Sequence, residues 1–384
     1  MKKIITILLV VLMLCGCGNG GNNGSENNNS SNNNGPGEIT PDSKEDNVIS
    51  KELVVEKTKA QLLKETMKET NYDNIFTVNL PEGWDISIGG ADWYLWIRIY
   101  DPDNPSLQLF SIISTTCILK SYAAQNFYKN AASISTGYYY EMYNMSANMV
   151  VNESATMEEF FEDWEEYISW IAQYDETFNG FDYPLINSFE TIESWDSDDI
   201  YRDISIDDKL IHAEYVEGLS QQRAEGMFSG AFTNGVAMYA DGTDCGYYTV
   251  YNVNGISAPY GMLGEYQEVL LEILRSINYN ENWVNQAMKN QEASFENAQQ
   301  LNQILQQTSQ IIVDGWYARQ QSYDRISQAY SDSTLGYDRY YDTETGEVYR
   351  VEYGVMDNYY GDRYELVTGD SAYYSLPVSG YVYK

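Results

Sequence analysis

From about residue 50 onward the apolar positions recur with periods that change several times along the chain. Between Ser50 and Thr70, Leu53, Ala60, Leu63 and Met67 share one side of a helix, with Lys and Glu elsewhere, which predicts a peripheral helix. Phe76, Val78 and Leu80 then alternate with polar neighbours. Pro81-Glu82-Gly83-Trp84 turns the chain, and Ile86 and Ile88 resume the alternation. Next, Trp93, Leu95, Ile97 and Ile99 fall on one face of a strand, and Tyr94, Trp96, Arg98 and Tyr100 on the other. Both faces are apolar or aromatic. That pattern fits a central strand covered on both sides, or an aromatic binding face that holds Arg98. Asp101 to Pro105 reads as a turn and Leu107 to Leu119 as a further strand.

Helical spacing returns at Met157, Phe160, Phe161, Trp164, Tyr167, Ile168 and Ile171, with Thr156 and Glu159 as a capping box and acidic residues on the wet side. Strands are expected at Leu210–Val216, Met227–Phe232, Val236–Ala240 and Tyr247–Val253. A helix with the face Leu263, Tyr266, Leu270, Ile273, Leu274 and Ile277 follows and runs up to Trp283. Residues 48–280 therefore predict an α+β domain, an antiparallel sheet with helices packed on it. Residues 281–332 read as a long Gln/Asn-rich helical segment with a narrow apolar seam, either one long helix or two in line with Gly315 as the expected break. The seam either packs along the first domain or pairs with another chain. Residues 333–384 read as a small Tyr-rich β meander, with strands at 337–342, 348–353, 364–367 and 373–376 and Gly346 in a hairpin turn.

The first 47 residues follow other rules. Lys2 and Lys3 precede an apolar run from Ile4 to Leu14, the arrangement of a secretory signal, too short to span a bilayer as a lasting helix. Leu14-Cys15-Gly16-Cys17 resembles the lipobox of bacterial lipoproteins, which implies cleavage after residue 16 and lipid on Cys17. Cys15 fails as the acceptor because Leu14 occupies a position that needs a small residue. Residues 17–47 are almost entirely Asn, Gly and Ser, too polar to offset the entropy of folding. As a flexible coil of about thirty residues this tether spans about 30 Å. The expected location is the outer face of the cytoplasmic membrane, and the tether looks like those of Gram-positive lipoproteins.

Charge narrows the partners. Removing Lys2 and Lys3 takes 22 basic residues to 20 against 57 acidic ones, a net charge of −37. Nucleic acid and anionic lipid are poor direct partners for such a surface. The membrane, through the lipid anchor, and a cell-wall or protein partner remain. Of four cysteines, Cys117 and Cys245 stay in the exported body, either as a disulfide or as two buried thiols.

The segment FTVNLPEGW from Phe76 to Trp84, together with the closing EVLLEILRSINY from Glu268 to Tyr279, resembles the PsbP/Mog1/DcrB-type α/β sandwich found in lipoproteins of Firmicutes. That likeness covers about residues 72 to 280 and implies binding or accessory roles, with no catalytic residues to carry over. The acidic helical segment at Met157–Tyr174 departs from it. The tail with Trp316, Arg319, Gly336 and the DTETGEVY hairpin from Asp342 also resembles lipoprotein C-termini.

Candidate chemistry is sparse. His212 is the single histidine, so a site needing two imidazoles is excluded, and no Gly-x-Ser-x-Gly elbow is present. Asp244-Cys245-Gly246 is faintly similar to the Asp-Cys of NlpC/P60 cell-wall peptidases, but there the cysteine starts a helix and histidine follows it. The acidic clusters Asp196, Asp198, Asp199 and Asp203, Asp207, Asp208 lack an EF-hand pattern and read as solvated turns. No cofactor and no metal site is expected. The 36 tyrosines include a cluster at Tyr138, Tyr139, Tyr140 and Tyr143 and another at Tyr359, Tyr360 and Tyr364. On exposed strands such residues make stacking platforms, and they also follow from codon bias and strand propensity. The leading expectation is a non-enzymatic surface lipoprotein that binds an envelope component. The alternatives are a cell-wall hydrolase using His212 with Cys245 or a carboxylate, and a solute-binding lipoprotein.

Overall fold

The computed structural model describes residues 55–197, 202–235, 242, 244–289, 298–320, 332–333, 335–357, 359–369, 371–376 and 378–384. The signal, Cys17, the tether, the strand expected at Val236–Ala240 and the acids Asp198 and Asp199 lie outside the described residues.

The described chain opens with strand β1 (Glu56–Lys57) and helix α1 (Lys59–Thr66), started by a capping box between Thr58 and Gln61. The helix is shorter than the 50–70 pattern suggests. Met67 turns to an extended conformation and the chain continues as β2 (Lys68–Tyr72), which folds back on β3 (Phe76–Leu80). Asp73 and Asn74 make that turn with positive φ, which their short polar side chains tolerate.

The main sheet is formed by β4 (Asp85–Gly89), β5 (Trp96–Asp101), β6 (Asn104–Ser114), β7 (Ile118–Leu119), β8 (Ile186–Asp196), β9 (Ser205–Glu217), β10 (Arg223–Asn234) and β11 (Tyr247–Pro259). Its order is β4-β5-β6-β11-β10-β9-β8, antiparallel throughout, with β7 also paired to β11. Between β7 and β8 the chain builds α2 (Tyr122–Ser133), α3 (Tyr138–Ala147), α4 (Met157–Glu162) and α5 (Trp164–Tyr174). The helix expected over 157–171 is thus two helices meeting at Asp163. After β11 come α6 (Leu263–Ser276), β12 (Asn278–Tyr279), α7 (Glu281–Lys289) and α8 (Ala298–Gln320).

Both faces of the sheet are covered, so its central strands are buried along nearly their whole length. On one face α6 and α8 pack over Ile97, Ile99, Leu109, Leu210, Met227 and Ile256. On the other, α4 and α5 bring Phe160, Phe161, Trp164 and Tyr167 onto Trp96, Phe110, Phe228 and Phe232. The architecture is α+β, three layers around one antiparallel sheet.

Two expectations for the C-terminal third are corrected. Gly315 does not break a helix; it lies inside α8. A Cβ there would come 2.0 Å from Leu210 Cδ2, so glycine lets the helix approach the sheet closely. The described part of α8 packs on α6 and β10 of the first domain, the intramolecular one of the two seam readings. The tail is not a meander. Strands β13 (Tyr337–Asp342), β14 (Val348–Glu352), β15 (Tyr364–Val367) and β16 (Val378–Val382) form a sheet with order β1-β16-β14-β13-β15. β15 returns beside β13, and β16 runs parallel to β14. The strand expected at 373–376 is a 3₁₀ turn over Ala372–Ser375, capped by Ser371 and drawn inward by Tyr374, whose hydroxyl donates to the buried Asp332 carboxylate at 2.7 Å. Because β1 belongs to this sheet, the N-terminal end of the described chain is fastened to its C-terminal end.

Candidate functional site

Of the aromatic face proposed at Tyr94, Trp96, Arg98 and Tyr100, Trp96 and Arg98 are core. Trp96 stacks on Trp164 with ring centroids 5.7 Å apart and meets Phe178 edge-on at 5.1 Å. Tyr94 belongs to a 3₁₀ turn ahead of β5 and is half-buried, as is Tyr100. Arg98 is 1 % exposed. Its Nε donates to Gln108 Oε1 at 2.7 Å, Nη1 to the Tyr183 carbonyl at 2.8 Å and Nη2 to the Pro105 carbonyl at 3.3 Å. Gln108 Nε2 donates in turn to the Tyr215 hydroxyl at 3.1 Å, which is 2.8 Å from Ser257 Oγ. Burial holds the Arg98 guanidinium below its usual pKa. The Tyr100 hydroxyl, pushed up to about 12 by burial and by Asp182, donates to Asp182 at 2.9 Å. These bonds fasten the segment before β8 to the sheet. A covering layer contributed by Met157–Tyr183 removes the face from solvent, and the strand pattern alone does not reveal it.

Cys117 and Cys245 are both buried, and no disulfide joins them. Burial pushes the Cys117 thiol up to about 12, far from a ready nucleophile. His212 is 0 % exposed, and neither ring nitrogen has a hydrogen-bond partner. A Cys245–His212 dyad is therefore not formed. Glu225 Oε2 stands 3.9 Å from His212 Nε2, and Glu225 Oε1 accepts from the Leu263 backbone N–H at 3.1 Å, serving the first turn of α6.

The acids read as solvated turns are partly built in. Asp207 Oδ2 accepts from the Met157 N–H at 2.7 Å, at the start of α4, and burial raises its pKa. Thr156 caps the same helix through Glu159 N, but the Glu159 carboxylate reaches Ser154 N rather than closing the box. Asp208 is buried and accepts from Ser197 Oγ, while exposed Asp203 stays in a turn. Among the described residues no group of three His, Cys, Asp or Glu is placed to hold a metal ion.

What does face solvent is the tyrosine cluster at residues 138–140, on a helix and not on strands as expected. α2 and α3 form an antiparallel hairpin that packs chiefly on itself. Ser121 caps α2 by accepting from Ala124 N at 3.1 Å. Gly137, with φ 61°, makes the turn into α3, a conformation that favours glycine. The base of the hairpin is tied down: the Tyr128 hydroxyl donates to the Cys245 carbonyl at 2.9 Å, and Trp170 Nε1 to the Met145 carbonyl at 3.4 Å. The apex is bare. Ile134 is 88 % exposed and Tyr139 61 %, with Tyr138 and Tyr140 exposed beside them. From Asn130 to Tyr140 no residue is charged. The second tyrosine cluster is different, because Tyr364 is buried against Tyr359 and only Tyr360 stands clear.

No described helix is long and apolar enough to cross a membrane. Comparison with models of known protein families and with curated proteins finds no match to this chain.

Proposed function

We propose that this chain is an exported lipoprotein, cleaved before Cys17, anchored by lipid to the outer face of a Gram-positive cytoplasmic membrane, and non-enzymatic. It acts by binding an envelope component through the apex of the α2–α3 hairpin. The observation that carries the binding role is that apex, an uncharged tip with one isoleucine and three consecutive tyrosines left exposed, while the aromatic cluster under α4 and α5 is packed away. The anchor rests on the order of charged, apolar and small residues that ends at Cys17.

The burial of His212 and Cys245, apart from any shared hydrogen bond, supports a binding role over hydrolysis. The main sheet, antiparallel throughout and without repeated βα units, supports it over a two-lobed solute-binding body. The finer fold reading belongs to the same proposal: the sheet, closed by α6, is of the PsbP/Mog1/DcrB type, with α4, α5 and the hairpin as additions. Retention of the full chain on isolated cell envelopes tests the role. Wild type is retained after removal of its lipid by lipase, and the triple substitution Ile134→Ser, Tyr139→Ser, Tyr140→Ser is washed off. Equal retention of the two refutes the hairpin as the contact.

A further inference from the structure

The chemistry of the apex names its partner more closely. We infer that the α2–α3 hairpin inserts its tip into the headgroup layer of the lipid bilayer itself, so that the body rests on the membrane that anchors it. This rests on the binding role given to the same hairpin.

Three observations converge on lipid. First, the tip joins one aliphatic side chain, Ile134, to Tyr138, Tyr139 and Tyr140. Tyrosine, with an apolar ring and a polar hydroxyl, is the side chain that collects at membrane–water interfaces. Second, the rings are not arranged to stack on a sugar. Tyr138 and Tyr139 meet edge-on at 71°, on a convex turn, so they offer no shared flat surface. A soft layer accepts such a tip, whereas a glycan strand needs a platform. Third, charge selects this end of the molecule. The chain has 57 acidic residues and 22 basic ones, and its surface is repelled by an anionic bilayer. The segment Ser121–Ala147 holds one lysine, Lys129, and one glutamate, Glu141, and so is neutral. It can approach lipid without the repulsion that the acidic excess of the whole chain imposes.

The test places an environment-sensitive fluorophore on the tip of the full chain. Cys117 and Cys245 are buried and Cys17 is the lipid acceptor, so a single introduced cysteine at exposed Thr136 (Thr136→Cys) is labelled selectively. A second chain labelled at exposed Glu365 (Glu365→Cys), on β15, serves as reference. Each is combined with vesicles of phosphatidylcholine containing a headgroup-level nitroxide quencher. The account requires blue-shifted, quenched emission at 136 and unchanged emission at 365. The triple substitution at Ile134, Tyr139 and Tyr140 lowers the shielded fraction at least about tenfold, since partial insertion of three large side chains is worth more than the roughly 1.4 kcal/mol that a tenfold change represents.

Those positions are exposed, so folding is spared, and continued resistance of Cys117 and Cys245 to thiol reagents checks this. A probe at 136 that stays water-exposed overturns the inference. So does shielding by purified peptidoglycan in place of vesicles, or shielding unaffected by the triple substitution. Lipid on Cys17 is read separately, from the mass of the N-terminal peptide. Its absence removes the anchor and leaves the fluorescence result standing on its own.

Discussion

Replacing Arg98 by alanine separates a structural arginine from a ligand-binding one. The substitution deletes a buried side chain and leaves three acceptors behind: Gln108 Oε1, fully buried, and the Tyr183 and Pro105 carbonyls, partly buried. An acceptor left unpaired in the interior costs roughly 1–3 kcal/mol, and the two carbonyls recover part of that from water. The vacated volume adds a cavity cost. Relief of a desolvated charge works in the opposite direction, by an amount that in other proteins offsets part of such losses. The net expectation is a loss of about 2–4 kcal/mol. The assay is urea unfolding followed by tryptophan fluorescence, because Trp96 and Trp164 stack at 5.7 Å inside the affected layer and report on it directly. With slopes of about 1–3 kcal/mol/M, the midpoint falls by about 0.7 M or more. Retention on cell envelopes by the molecules that remain folded is unchanged. A midpoint within about 0.2 M of wild type, together with lost retention, would refute the structural assignment and restore β5 as a binding face.

Two further substitutions probe the charged and polar interior. Asp163, at the junction of α4 and α5, has its pKa raised to about 6 by burial and by Glu159, Glu166 and Glu162. The folded state therefore holds this proton more tightly than the unfolded chain does, and the stability so gained is present at low pH and lost as pH rises through about 6. Asp163→Asn should match wild type near pH 3 and exceed it at pH 7.5 in thermal unfolding. The gain is small because the group is only partly buried and solvent screens it, and a variant less stable than wild type at pH 7.5 contradicts the sign. His212→Leu replaces a buried imidazole with no hydrogen-bond partner by an apolar side chain of similar size. Stability should stay level or rise by about 1–2 kcal/mol. A drop in urea midpoint on this change shows that the imidazole is paired in solution.

The sequence was most informative where one period ran long enough to define a face. Leu263, Tyr266, Leu270, Ile273 and Leu274 located α6, but the helix stops at Ser276, where Ile277 turns extended into β12, instead of running to Trp283; the same reading located β3 and the cores of β9, β10 and β11. It failed where the deciding partner is distant in the chain. Trp96 and Arg98 have the same pattern whether exposed or covered, and their cover comes from Trp164, Tyr167 and Phe178, well downstream. The parallel pairing of β14 with β16, and the antiparallel pairing of β1 with β16, are likewise long-range facts without a local signature. The hairpin was missed for a local reason. Tyr138-Tyr139-Tyr140 favours strand by propensity, yet Gly137 with positive φ turns it into a helix that packs on α2. The signal available was Ser121 ahead of an alanine-rich run, a helix start that the tyrosines obscured. That His212 lacks a partner follows only from packing.

The central claim, an anchored envelope protein, turns on Cys17. Growing cells with a radiolabelled or alkyne-bearing fatty acid and isolating the protein reads the anchor directly. Wild type should incorporate the label, with the modified N-terminal peptide beginning at Cys17, and Cys17→Ala should incorporate none. Unlabelled wild-type protein, or label that persists in Cys17→Ala, contradicts the account.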